Sequence, residues 1–183
     1  MVKKSIIIIA CLLVSMQGIS QDKNWKFNSA FSFAPGLLRE NTQTIQLHGY
    51  LGFLKDRIHL RGDAYYFLGN FGDRPRFSMN HQLYFGAFYH FSDKAFQPYV
   101  GFQPGIALAQ SSEYGAWNES IQALEYKKAI NPVGSPTLGF SYYGEKLFFL
   151  FAETRYIFGK HKSNSYPIFL DEWRFSFGLG FVF

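Results

Sequence analysis

The 183-residue sequence is poor in the features that most exported or catalytic chains depend on: it has one cysteine, few charged residues (17%) and no long apolar run. The single cysteine, Cys11, lies in the N-terminal twenty residues, so a chain shortened by those residues has no disulfide, no thiolate metal site and no cysteine nucleophile. Without a stretch of about 20 apolar residues there is no helical membrane span. Lysine and arginine are scattered rather than clustered, which excludes a nucleic-acid footprint. No segment past residue 20 has a 3.6-residue apolar period, so helices are not expected. What is abundant is aromatic: 22 Phe, 12 Tyr and 3 Trp, too much ring surface for a disordered chain.

The N-terminus reads as a secretory signal peptide over residues 1–20. Lys3 and Lys4 form a basic start, Ile6 to Val14 an apolar stretch, and Gly18-Ile19-Ser20 places small residues before a cut at Gln21. Ile8-Ile9-Ala10-Cys11 resembles a lipoprotein cleavage box, but the apolar run continues past it to Val14. Removal of the segment leaves 163 residues, 21–183, expected to form one domain with a formal charge of +3.

That domain alternates with period two in eight stretches of about ten residues, the length of a tilted membrane-crossing strand. Trp25, Phe27, Phe31 and Phe33 share one face of the first; Trp173, Phe175, Phe177, Leu179, Phe181 and Phe183 share one face of the last. Short charged turns (Lys55-Asp56, Ser92 to Ala95, Gly144 to Lys146) alternate with longer polar connectors (Pro35 to Gln43, Gly69 to Phe77, Gln110 to Pro132, Lys160 to Asp171). The pattern predicts an all-β fold, an eight-stranded antiparallel up-and-down transmembrane β-barrel, with both mature termini at the short-turn, periplasmic end.

A soluble barrel of lipocalin type also alternates. Its outer surface would need dense Lys and Glu, whereas the polar face here is Gly, Ser, Gln and Tyr with seven formal charges: Lys26, Arg61, Asp63, Glu153, Arg155, Glu172 and Arg174. Such a face suits an enclosed lumen, and the opposite, uncharged face suits lipid, where a midplane Lys or Arg costs about 2–4 kcal/mol. An eight-stranded barrel is just wide enough for side chains to fill, so these seven residues are expected to plug it as an ion-pair network of four cations and three carboxylates.

With those patterns in hand, the chain resembles the small bacterial outer-membrane barrel family of OmpA transmembrane-domain and OmpX-like proteins. Phe96-Gln97-Pro98-Tyr99-Val100-Gly101-Phe102 is similar to a strand entry common in that family, and the aromatic terminus, Phe181 and Phe183, resembles the signal read by the barrel-insertion machinery. The resemblance implies a monomer in the outer membrane of a Gram-negative cell, contacting outer-membrane lipid and lipopolysaccharide, with a structural or interaction role. No cofactor, metal or nucleic acid is implied.

A second, local resemblance implies an alternative. His161-Lys162-Ser163-Asn164 matches the His-x-Ser-Asn motif of lipid A 3-O-deacylases. It implies Ser163 as nucleophile, His161 as its base and Glu172 as the group orienting the imidazole. A third reading is surface adhesion through the connector from Ser111 to Asn131, with Tyr114, Trp117 and Tyr126 as contact candidates.

Overall fold

The computed structural model describes residues 25–39, 41–71, 76–144 and 147–183; the expected signal segment lies outside them. Eight long strands, β1 (Lys26–Leu38), β2 (Gln43–Lys55), β3 (Ile58–Phe71), β4 (Phe77–His90), β5 (Phe96–Ser111), β8 (Lys128–Tyr142), β9 (Phe148–His161) and β11 (Glu172–Val182), pair antiparallel with their neighbours. β11 returns to β1, from Asn28↔Val182 to Leu38↔Glu172, and closes the barrel. Closure matters in hydrocarbon, where every unpaired edge N–H or C=O costs several kcal/mol. Three short strands lie outside the wall: β6 (Ala116–Asn118) and β7 (Ala123–Glu125) form a hairpin, and β10 (Ile168–Phe169) pairs with the end of β9.

The wall strands run to 11–16 residues, longer than the ten read from alternation. The extra residues come out of the expected connectors. Pro35 to Leu38 continue β1, paired with β2 as far as Leu37↔Gln43, and just past it Asn41 takes a φ of 65°. Proline reads as a loop signal, yet five prolines (Pro35, Pro98, Pro104, Pro132 and Pro136) sit inside wall strands. At three of them the ladder skips on one side only: β1–β11 near Pro35, β4–β5 near Pro104 and β8–β9 near Pro136. Each proline lacks one donor, so the sheet gives up a local pairing rather than the strand.

The two faces of the wall differ in chemistry. Outward positions are exposed and apolar, including Phe31, Phe33, Leu51, Leu83, Phe85, Phe102, Leu150, Phe175 and Phe177. Among the described residues of the eight wall strands, the formal charges with outward register are Lys55, Lys128 and Lys160, all at strand ends. Inward positions are buried, and most are polar. A continuous exposed aromatic band of this size is tolerated by lipid and not by water.

Candidate functional site

The inner face holds four layers. In the middle, β3 contributes Arg61 and Asp63 and β9 contributes Glu153 and Arg155; each pair is two residues apart and so shares a face. Arg61 donates from Nε to Asp63 at 2.9 Å and from Nη2 to Glu153 at 2.7 Å. Arg155 donates from Nη2 to Glu153 at 2.9 Å and to Asp63 at 3.3 Å. Tyr99 and Tyr65 donate their hydroxyls to Glu153 at 2.9 and 3.3 Å, and Gln103 donates to Asp63 at 2.5 Å. His48 Nε2 lies 2.8 Å from Asp63, its Nδ1 2.9 Å from the Ser32 hydroxyl. The Arg61 guanidinium is held between the rings of Phe88 and Tyr50, 4.1 and 4.3 Å from their centroids. Burying four charges is tolerable only with this degree of pairing.

Above it, Glu172 and Arg174 form a second ion pair at 2.5 Å. Thr44 donates to Glu172 at 2.5 Å, and Arg174 reaches Gln82 at 3.0 Å, itself bonded by Tyr84. The carboxylate has room because residue 36 is glycine: a Cβ there would collide with Glu172 Oε1 and approach Thr44 Oγ1 to 2.6 Å. Below the central layer lies a ring of Tyr50, Phe149, Phe151 and Ala30, with His59 bonded to Asn28 at 2.9 Å and His90 to Gln97 at 3.1 Å. Tyr143, just past β8, stacks on Phe149 at 4.9 Å; burial pushes its phenol up to about 12, so it stays neutral. At the short-turn mouth a recess of about 540 Å³ opens between Lys26, Asn28, Lys94 and Gln97.

The fourth layer is an apolar stopper at the long-loop mouth, built from Ala34, Leu38, Phe77, Ile157, Ile168 and Leu170. From alternation alone, Lys160 to Asp171 is expected to be a longer polar connector. Instead, Ile168 pairs with His161, and the Leu170 N–H bonds the Gly159 carbonyl at 3.0 Å, turning both apolar side chains inward. The apolar triplet Ile168-Phe169-Leu170 in a polar connector was the available signal.

No protein-family model and no curated protein sequence matches the chain. Three solved structures are similar in shape. Neisserial surface protein A aligns over 87% of this chain and 97% of its own, with a TM-score of 0.61 and 15% identity. The N-terminal β-barrel domain of OprF from Pseudomonas aeruginosa aligns over 87% and 98%, at 0.53 and 18%. Ail, the attachment invasion locus protein of Yersinia pestis, solved with the heparin analogue sucrose octasulfate, aligns over 87% and 99%, at 0.51 and 12%. The fold is that of the small outer-membrane barrels.

Within this outer-membrane-type barrel, six of the seven expected lumen charges come together and one does not. Lys26 has inward register but is exposed at the mouth, because β1 begins there. Its departure changes the balance: three arginines now face three carboxylates. His48, Asp63 and Glu153 offer ligand atoms within 4.8 Å of one another, the spacing of a metal set. Two guanidiniums already occupy those carboxylates, so the cluster is complete as an ion-pair array.

His161, Ser163 and Glu172 do not assemble. His161 turns inward at the end of β9, with Nδ1 3.1 Å from the Asn131 amide. Ser163 lies past the strand and donates its hydroxyl to the Tyr166 carbonyl. Glu172 is consumed by Thr44 and Arg174. The reason is the strand end: the i, i+2 rule that would align His161 with Ser163 holds only while the chain stays extended, and β9 stops at His161. Of the connector aromatics, Tyr114 packs edge-on to Tyr166 at 5.7 Å, Trp117 is exposed on β6 opposite Leu124, and Tyr126 is half-buried. Phe181 and Phe183 both point outward, and the Phe183 N–H bonds the Phe27 carbonyl at 2.8 Å.

Proposed function

We propose that the chain is an integral outer-membrane protein with a closed lumen, acting as a structural or interaction element of the cell envelope rather than as a pore. Its short turns and both mature termini face the periplasm, and its longer connectors face outward. The observation that carries this reading is the filled interior: a charge-balanced array of Arg61, Asp63, Glu153 and Arg155 beneath an apolar stopper of Leu38, Phe77, Ile157, Ile168 and Leu170. An ion entering from the long-loop mouth meets the dry stopper first, and one entering from the short-turn mouth meets the Tyr50–Phe149–Phe151 ring and then neutralised charge; desolvating it there is prohibitive. The apolar outer band and the likeness to Neisserial surface protein A and the OprF barrel support the membrane setting. The protein acts as a monomer surrounded by lipid, inserted by way of its terminal aromatic strand.

Planar lipid bilayer recordings of the purified, refolded barrel test the closed lumen. No steady conductance is expected. A steady ohmic current from protein whose heat-modifiable gel migration shows it folded would overturn the proposal.

A further inference from the structure

The outer face of the long-loop rim brings two cations together at one place. On the side formed by β9, β10 and β1, two cations share one aromatic ring: the Arg39 guanidinium lies 4.4 Å, and the Lys160 ammonium 5.1 Å, from the centroid of Phe169. The register explains the row. Phe169 pairs with Lys160 and so takes its outward side, while the Arg39 N–H bonds the Asp171 carbonyl at 2.9 Å and brings β1 alongside. Asp171, the nearest carboxylate, is mostly buried; its side chain sits 3.8 Å from Arg39 and also receives the Gly159 N–H at 3.3 Å. Arg39 itself remains 55% exposed, so its guanidinium has donors to spare.

Immediately toward the membrane, the same sector presents an apolar shelf. Leu37 pairs with Trp173, and Trp173 packs at a tilt against Tyr156 with ring centroids 5.0 Å apart. These residues line a recess of about 480 Å³ together with Arg39, Asp171 and Glu172, the last two already bonded to Gly159 and to Thr44 and Arg174. Elsewhere on the rim, the outward ends of β2, β4 and β5 carry Gln43, Ser78 and Gln110, and β8 carries a single exposed cation, Lys128.

We propose that Arg39, Lys160 and the Leu37–Tyr156–Trp173 shelf form a binding site for one phosphorylated glycolipid of the surrounding leaflet. The two cations take its headgroup phosphate and the shelf takes the root of an acyl chain. Charge and height select this occupant: a phosphate at the headgroup level is the anion that two exposed cations above an aromatic belt are placed to meet. This site rests on the outer-membrane orientation given above.

The test reconstitutes the full mature chain into phosphatidylcholine nanodiscs doped with diphosphoryl lipid A, and counts retained lipid by native mass spectrometry. The double variant Arg39→Gln, Lys160→Gln is expected to lose affinity on the order of 30-fold, at about a factor of five per cation. Lys55→Gln with Lys94→Gln, at the opposite end, is expected to leave binding unchanged. Dephosphorylated lipid A binds as weakly to wild type as diphosphoryl lipid A binds to the double variant, and excess inorganic phosphate does not displace the lipid. Undiminished binding by the double variant, equal binding of the dephosphorylated lipid, or displacement by free phosphate would each overturn the site while leaving the inserted barrel intact. Failure of the wild-type chain to insert would overturn the barrel reading itself, and this site with it.

Discussion

Removing one carboxylate from the central array probes whether the lumen is held by pairing or merely filled. Glu153 accepts from Arg61, Arg155, Tyr65 and Tyr99. Replacing it in Glu153→Gln keeps the volume but leaves two guanidiniums facing Asp63 alone, one uncompensated positive charge in a dry interior. Breaking one partner of a buried pair costs about 3–5 kcal/mol, at least a hundredfold in the folding constant. The compensating change is Arg155→Met, because Arg61 retains Asp63 at 2.9 Å and lies 4.1 and 4.3 Å from the rings of Phe88 and Tyr50, whereas Arg155 is farther both from Asp63, at 3.3 Å, and from its own rings, Tyr65 and Tyr84, at 4.8 and 5.2 Å.

The double variant Glu153→Gln, Arg155→Met restores charge balance and is expected to recover most of the loss, to within about 1–2 kcal/mol of wild type, since a buried ion pair is close to neutral against a packed apolar replacement. Urea unfolding of the refolded barrel in lipid vesicles, followed by tryptophan fluorescence, measures both steps. A single variant within about 1 kcal/mol of wild type, or a double variant no better than the single, would refute the claim that charge balance and not volume holds this layer.

Two further pairs of substitutions address the wall and the upper ion pair. Phe177→Arg, halfway along the outward row of β11, is expected to cost about 2–4 kcal/mol in vesicles, while Trp173→Arg at the rim of the same row costs about 0–1 kcal/mol; equal penalties would contradict the placement of the lipid band. Gly36→Ala puts a methyl where Glu172 Oε1 now lies, so Glu172 must leave Thr44 and Arg174. It is expected to destabilise by about 1–3 kcal/mol, and Glu172→Gln in the same background is expected to add much less than it does in wild type, read by the same unfolding curves.

The wall was legible in the sequence because its physics is local. A strand between lipid and lumen must alternate, so Phe175, Phe177 and Leu179 against Arg174 and Ser176 already define two faces of β11. The central array followed from the same parity, since Arg61 with Asp63 and Glu153 with Arg155 each lie two apart. Parity does not say which strands face one another across the lumen. That Arg61 meets Glu153, 92 residues away, depends on barrel closure and stagger. Lys26 was misplaced for the complementary reason: its parity is correct but its height is not, and height is a property of the assembled barrel.

The mouth was harder to read because there the chain stops obeying one rule. Above the lipid band, outward positions no longer need to be apolar and inward positions no longer need to be polar, so connectors lose the alternation that marks strands. Pro35 and the polar residues after Gly159 therefore read as loop, although β1 and β9 continue through them. The inversion is a consequence of the filled core. An ion-pair layer gains strength from low dielectric only if water is kept from it, and at the long-loop end that exclusion falls to Leu38, Phe77, Ile168 and Leu170. An apolar stopper above a charged layer is thus the expected arrangement for a narrow barrel closed at its outer end. The same inward turn of Ile168 and Leu170 leaves the residue between them, Phe169, facing out between Arg39 and Lys160.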